Sequence, residues 1–195
     1  MLSKRSTKTL ILIGMVAISL VMVAANPSKK ETHCYSILSP VDVESNENSQ
    51  ILESGCFDSF TESIQAATGG RVHLGPDVNP NNITEEMLNA NVDPSNLTPE
   101  IVTVIGIDYK NASFGGSSYA WSITGSGCTD TLGFRVSSMP SGWDNAVSSA
   151  RSYSDCNNYY HWENTNYAGS VLDCGPSCAS MGVMNDQTSS EEWYK

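Results

Sequence analysis

Basic residues are scarce. The 195-residue chain carries 10 lysines and arginines against 21 aspartates and glutamates. Three of the ten, Lys4, Arg5 and Lys8, stand at the very start, so after Ala25 the net charge is −14. A surface this acidic repels phosphate backbones and excludes nucleic acid as a partner. It draws divalent cations, and it also serves solubility outside the cell. The residue patterns of common catalysis are missing as well: there is no G-x-S-x-G, no H-E-x-x-H and no P-loop. Serine is abundant, but nothing in the sequence supplies it with a base and an orienting partner, which argues against an enzyme. The three histidines, His33, His73 and His161, show no metal-ligand spacing, and no C-x2-C pair exists. His161, beside Trp162, reads as a packed or edge residue of a strand. Aromatic residues are nearly absent from the first half: of 16, only Tyr35, Phe57 and Phe60 precede residue 100.

What is present begins with a leader. Behind the basic start, residues 10–25 are almost wholly apolar. At about 1.5 Å per residue this run reaches roughly 24 Å, short of a membrane core of about 30 Å. Val23-Ala24-Ala25 offers small residues ahead of Asn26, as signal peptidase requires. Residues 1–25 therefore read as a cleaved signal peptide, with a retained N-terminal anchor as the alternative. Membrane association is expected only if that segment is kept. Either way the mature chain lies outside the cytoplasm, secreted or anchored at the envelope. All six cysteines come after the leader, an even number suited to disulfides in an oxidising compartment. Six cysteines allow 15 pairings. Local pairing favours Cys34 with Cys56, Cys128 with Cys156, and Cys174 with Cys178.

Residues 26–100 form a small N-terminal α/β or irregular segment. Residues 58–68 read as a helix with Phe60, Ile64 and Ala67 on one face, stopped by Gly69-Gly70. Residues 84–91 are a second short helix candidate. Residues 33–38 and 71–74 read as short strands. The segment has few large apolar residues, so it is not expected to fold alone. It could dock on the second half of the chain, act as a pro-region, or serve as a spacer.

From Ile101 the pattern turns to strand. Residues 101–109 are rich in β-branched side chains, and residues 117–124, 132–138, 148–153, 159–163 and 170–173 alternate as strands do. Within this half one pattern occurs twice. Tyr109-Lys110-Asn111-Ala112-Ser113-Phe114-Gly115-Gly116 and Trp162-Glu163-Asn164-Thr165-Asn166-Tyr167-Ala168-Gly169 both read aromatic, four residues, aromatic, one residue, glycine. Asp144-Asn145-Ala146-Val147-Ser148-Ser149 returns 41 residues later as Asn185-Asp186-Gln187-Thr188-Ser189-Ser190. A repeat of this length implies two equal units that bury a face against one another. Gly116 and Gly169 come after an aromatic in a folded-over hairpin, where positive φ or a close ring excludes a Cβ. About 95 residues with thirteen aromatics are enough for the 101–195 module to fold by itself.

The paired openings resemble the Greek key signature of the βγ-crystallin superfamily. The paired closings, two Asn or Asp, two residues, Ser or Thr, then Ser, resemble the calcium-binding signature of its microbial members. The resemblance covers residues 103–195. It implies a mainly β fold, two Greek key motifs forming a βγ-crystallin-like β-sandwich, with Tyr109, Phe114, Trp162 and Tyr167 shielding the hairpins. It also implies calcium ions as cofactor and partner. Calcium takes six to eight oxygens, and each closing motif supplies carboxylate, amide and hydroxyl oxygens. The same residues also suit ordinary turns. In similar domains each site is shared between the two keys. Carried onto this chain, the ligands are Asp144, Asn145 and Ser148 with Asn185, Asp186 and Ser189, while Lys110 and Glu163 give backbone oxygens. Lys110 puts a cation where Glu163 stands in the second copy, so the two sites are expected to differ. One carboxylate per closing motif implies weak binding.

The phrase Ser141-Gly142-Trp143-Asp144-Asn145 is similar to a secreted bacterial subset grouped with family I36 peptidase inhibitors. This yields an alternative function, inhibition of a secreted protease, presented on the loops at 125–128 or 174–178.

Overall fold

The computed structural model describes residues 30–90 and 101–195. The leader expected at 1–25 lies outside the described residues. The first strands come from the N-terminal segment: β1 (His33–Leu38), β2 (Val41–Asp42) and β3 (Ile51–Phe57). Two helices come next, α1 (Phe60–Ala67) and α2 (Glu85–Ala90). The first repeat contributes β4 (Val102–Asn111), β5 (Gly115–Thr124), β6 (Leu132–Val136) and β7 (Ser149–Ser152). The second contributes β8 (Asn158–Asn164), β9 (Ala168–Asp173), β10 (Ser177–Cys178) and β11 (Ser190–Tyr194). The strand expected at 71–74 is not formed. Only Val72 makes an isolated bridge there.

The fold is mainly β, a sandwich of two sheets. One runs β10-β7-β4-β5-β1-β3 and the other β2-β6-β11-β8-β9. Each repeat is a Greek key whose third strand crosses over. β6 leaves its own repeat to pair with β11, and β10 leaves to pair with β7. The two repeats are thus interlocked, and neither sheet is complete without the other repeat. Between the sheets lie the fully buried rings of Trp121, Trp193, Tyr159 and Phe134, with Leu38, Ile105 and Ile123. Trp193 stands 5.4 Å from Trp121 and 4.8 Å from Tyr159, centroid to centroid.

The N-terminal segment docks. β1 pairs in parallel with β5 along His33–Leu38, β3 pairs antiparallel outside it, and β2 extends the opposite sheet at β6. α1 forms because Ser59 caps it, accepting from the Glu62 N–H, and because its apolar stripe has a face to cover. Phe60, Ile64 and Ala67 pack with Val72, Ile83 and Leu88 over Tyr35, Ile37, Ile107, Tyr109 and Tyr153 on the outer face of the first sheet. Val102, Val104, Ile107 and Tyr109 of β4 face the outer core while Ile105 faces the inner one, with a β-bulge between Val104 and Gly106 shifting the alternation, so the strand is buried on both sides. All three disulfides join as locality predicted: Cys34–Cys56, Cys128–Cys156 and Cys174–Cys178. Among the described residues no helix is long and apolar enough to cross a membrane.

His33 marks the seam between segment and module. Its Nδ1 lies 2.9 Å from the Ser118 hydroxyl, and its ring meets Phe60 edge-on at 5.6 Å. Burial pushes its pKa below the ordinary 6.5, with the Glu31 carboxylate partly opposing. The unfolded chain therefore binds the proton more readily. This contribution to stability is complete above the unfolded value near 6.5 and is lost as pH falls below it toward the depressed folded value. The urea midpoint should accordingly drop between about pH 7 and pH 5. In His33→Gln that part of the slope should vanish; an unchanged slope would place the titration elsewhere.

Candidate calcium site

The crossover of β6 and β10 brings the two closing motifs side by side at one edge of the sandwich. Each motif is the turn that enters the last strand of its key, β7 or β11. The pairing is reciprocal. The Asn145 N–H donates to the Thr188 carbonyl at 2.9 Å, and the Asp186 N–H donates to the Val147 carbonyl at 3.0 Å. Both donors are the second residue of their motif, and both acceptors the fourth. Asn145 and Asp186 share the same left-handed backbone, φ 55° in each. Asn and Asp tolerate that region better than other side-chain-bearing residues, which explains the residue type there. The fifth residues tie the turns to the opening hairpins: the Ser148 N–H reaches the Tyr109 carbonyl and the Ser189 N–H the Trp162 carbonyl, each at 2.8 Å.

The side chains repeat the same plan incompletely. The Ser148 hydroxyl donates to Asp186 Oδ1 at 3.1 Å, a contact between motifs. Asn185 Nδ2 donates to Asp186 Oδ2 at 2.8 Å, and Asn145 Nδ2 to Asp144 Oδ2 at 3.2 Å. Asp144, Asn145, Asn185 and Asp186 are exposed, whereas Ser148 and Ser189 are buried behind them. Six oxygen-bearing side chains from both repeats therefore gather at one rim, with two carboxylates outermost. These are hard donors, and the amide oxygens, hydroxyls and carboxylates fit calcium rather than a softer metal.

Lys110 and Glu163 differ in their surroundings. The Lys110 ammonium donates to the Gly142 carbonyl at 2.6 Å and lies 4.9 Å from the ring centre of Trp143, the residue before Asp144. Glu163 Oε2 accepts from the Ser170 N–H at 3.0 Å, and that backbone hydrogen bond holds its carboxyl below the usual range. A cation thus sits beside the first motif and an anion beside the second opening.

The sixth residue of each motif has a function that sequence reading missed. Ser149 Oγ donates to the Asn111 carbonyl at 2.6 Å and accepts from the Phe114 N–H at 2.9 Å. Ser190 Oγ donates to the Asn164 carbonyl at 2.7 Å and accepts from the Tyr167 N–H at 3.0 Å. Each serine locks the folded-over hairpin of its own key, and its recurrence in both closings was the available signal. In the hairpins Gly116 has φ 75° and Gly169 φ 82°. A Cβ at either would meet an asparagine amide, Asn111 Nδ2 at 2.6 Å or Asn164 Nδ2 at 2.5 Å. The shielding rings are not equivalent. Tyr109 is fully buried, because the N-terminal segment covers it and its hydroxyl donates to the Pro80 carbonyl at 3.3 Å. Trp162 and Tyr167 stay half-buried. There the Arg135 guanidinium lies 4.4 Å from the Tyr167 ring centre.

A second constellation lies inside the sandwich. Asp108, His161 and Glu191, from β4, β8 and β11, converge without exposure. Sequence spacing discarded His161 as a ligand because its neighbours come from strands far apart in the chain. The recoverable signal is alternation: Tyr159 and His161, like Glu191 and Trp193, share the inward face of their strands.

Solved structures that align with the chain cover a little under half of it. A βγ-crystallin from an archaeon aligns at 20% identity and a TM-score of 0.35, over 46% of this chain and 96% of that one. A structure described under the evolution of the eye-lens βγ-crystallin domain fold aligns at 21% identity and a TM-score of 0.34, over 45% and 81%. A βγ-crystallin from Ciona intestinalis aligns at 18% and 0.33, over 44% and 94%. No protein-family model and no curated protein matches the chain.

Proposed function

We propose that this chain is a secreted, non-enzymatic calcium-binding protein of βγ-crystallin type, structural or envelope-associated, in which calcium ties the two Greek keys together at their closing turns. The reading is carried by the reciprocal pairing of the two motifs, with Ser148 of one hydrogen-bonded to Asp186 of the other. An ordinary turn has no need of a carboxylate reaching into a second turn. The three disulfides support an oxidising compartment. The inhibitor alternative rests on sequence resemblance, and both candidate loops are tied into the sandwich, one by Cys128–Cys156 and the other by Cys174–Cys178.

Calcium should raise the melting temperature. At a hundredfold excess over Kd the stabilisation is about 2.7 kcal/mol, which for a chain of this size is roughly 5–10 °C. With one carboxylate per motif, Kd should fall near the weak extracellular range of about 10⁻⁴–10⁻³ M, so about 10 mM calcium suffices to see the shift. Magnesium should do much less, because it dehydrates reluctantly and demands tighter geometry. Asp144→Ala and Asp186→Ala should each remove part of the shift, and the double variant nearly all of it. A shift that survives the double substitution would place the ion elsewhere on the acidic surface.

A further inference from the structure

The buried constellation is built like a metal site of a different kind. Asp108, His161 and Glu191 are fully buried, and their donor atoms lie within 4.8 Å of one another. His161 Nε2 is 3.2 Å from Asp108 Oδ1 and 3.4 Å from Glu191 Oε1. The far side of each group is already held. Trp121 Nε1 donates to Asp108 Oδ2 at 2.8 Å, and His161 Nδ1 lies 3.3 Å from the Tyr159 carbonyl. The Tyr159 hydroxyl stands 2.6 Å from Asp108 Oδ1 and 3.2 Å from Glu191 Oε2, one O–H between two carboxylates. Among the described residues Glu191 Oε1 has no hydrogen-bond partner.

Protein groups alone balance this cluster poorly. Among the described residues the partners of the two carboxylates are a tryptophan, a tyrosine, one imidazole and each other, with no lysine or arginine. With both carboxylates ionised, the cluster would hold more negative charge than its neighbours offset, in a place where unpaired charge is strongly disfavoured. A divalent cation would neutralise both carboxylates at once. The imidazole nitrogen selects against calcium and magnesium, which want oxygen. Four-coordinate zinc has bonds of about 2.0–2.2 Å to nitrogen and oxygen, which sets its donors roughly 3.3–3.5 Å apart. The separations from Nε2, 3.2 and 3.4 Å, lie close to that spacing, and the three donor atoms all stand within 4.8 Å of one another. The outer contacts also match what orients metal ligands, an imidazole whose second nitrogen faces a backbone carbonyl and a carboxylate held by a neighbouring donor.

We propose that Asp108 Oδ1, His161 Nε2 and Glu191 Oε1 form a buried three-ligand site for a divalent transition metal of the zinc class, clamping β4 of one sheet to β8 and β11 of the other. The duplication explains the convergence. Asp108 and His161 stand at the same position of the two repeats, each immediately before the opening aromatic, so the pseudo-two-fold sets them opposite one another. The site is independent of the calcium reading.

The test uses the whole chain with its disulfides intact. Unfolding in guanidinium with a chelator, then refolding with zinc or cobalt and desalting, should leave about one ion per chain. Zinc at a hundredfold excess over Kd should raise the melting temperature by roughly 5–10 °C. Cobalt should give the visible bands of a four- or five-coordinate ion. His161→Gln and Glu191→Gln should lose the retained ion, while Asp186→Ala, which removes a proposed calcium ligand, should keep it. Wild-type protein that refolds yet retains no zinc, or retains cobalt with only the weak bands of a hydrated surface ion, overturns the proposal. So does an unchanged zinc content in Glu191→Gln. If the variants do not fold, the wild-type cobalt spectrum decides.

Discussion

A chain cut back to residues 101–195 should fail to give a cooperative thermal transition and should aggregate, although it holds both Greek keys. Sequence alone leads to the opposite expectation, since about 95 residues can support a core. The difference lies on the outer face of the first sheet. Val102, Val104, Ile107, Tyr109 and Tyr153 of the module are buried there under Tyr35, Ile37, Phe60, Ile64, Val72, Ile83 and Leu88 of the N-terminal segment. Re-exposing the module's five at about 1.5–3 kcal/mol each costs roughly 7–15 kcal/mol. That matches the whole stability of an ordinary domain, about 5–15 kcal/mol. The cut also strips β1 from β5, leaving an open strand edge ready to pair with another chain. Near-UV circular dichroism and size-exclusion chromatography of the truncated protein check this. A monomeric peak with a sharp, reversible melt would show that the cover is dispensable.

Trp193→Ala should be the most damaging single substitution in the inter-sheet core. Trp193 is fully buried on β11, stacked at 4.8 Å on Tyr159 of β8 and facing Trp121 of β5 across the sandwich at 5.4 Å. It also approaches Gly106 so closely that a Cβ there would stand 2.6 Å from Trp193 Nε1. The two positions are complementary: β4 carries a glycine where the indole of the other sheet needs space. Truncation to alanine opens a cavity that the two packed sheets cannot fully close, a loss of about 3–5 kcal/mol. For a chain of this size that is roughly 6–20 °C in Tm. Trp193→Phe should cost distinctly less. It keeps most of the ring contact and removes an indole N–H that is buried without a hydrogen-bond partner. Equal losses in both variants would mean that ring volume is not what holds the sheets together.

The stretches read correctly from sequence are those whose physics is local. β-branched runs and alternation marked the strands of both keys, and Gly69-Gly70 marked the end of α1. The recurrence of the aromatic-glycine openings announced the hairpins, because a glycine at φ 75° or 82° answers to its immediate neighbours alone. Disulfide partners were legible because each pair is separated by 28 residues or fewer. The strand expected at 71–74 was not formed because its apolar residues, Val72 and Leu74, pack into the cluster with α1 rather than extend a ladder.

What the chain could not announce is what depends on which strands become neighbours. The side-by-side closing motifs exist because β6 and β10 exchange sheets, and nothing within a motif encodes that exchange. The N-terminal segment is too poor in large apolar residues to form a core alone, yet it completes one whose other half comes from the module. Asp108, His161 and Glu191 are unrelated polar residues on three strands when read along the chain, and only the stacking of the two sheets places them in contact. Residue type and local pattern thus determined the elements, the duplication and the oxygen-rich turns. Tertiary structure alone decided the interlocking of the keys, the covering of the outer face and the meeting of buried charges, because each is a contact between segments whose separation in sequence says nothing about their distance in space.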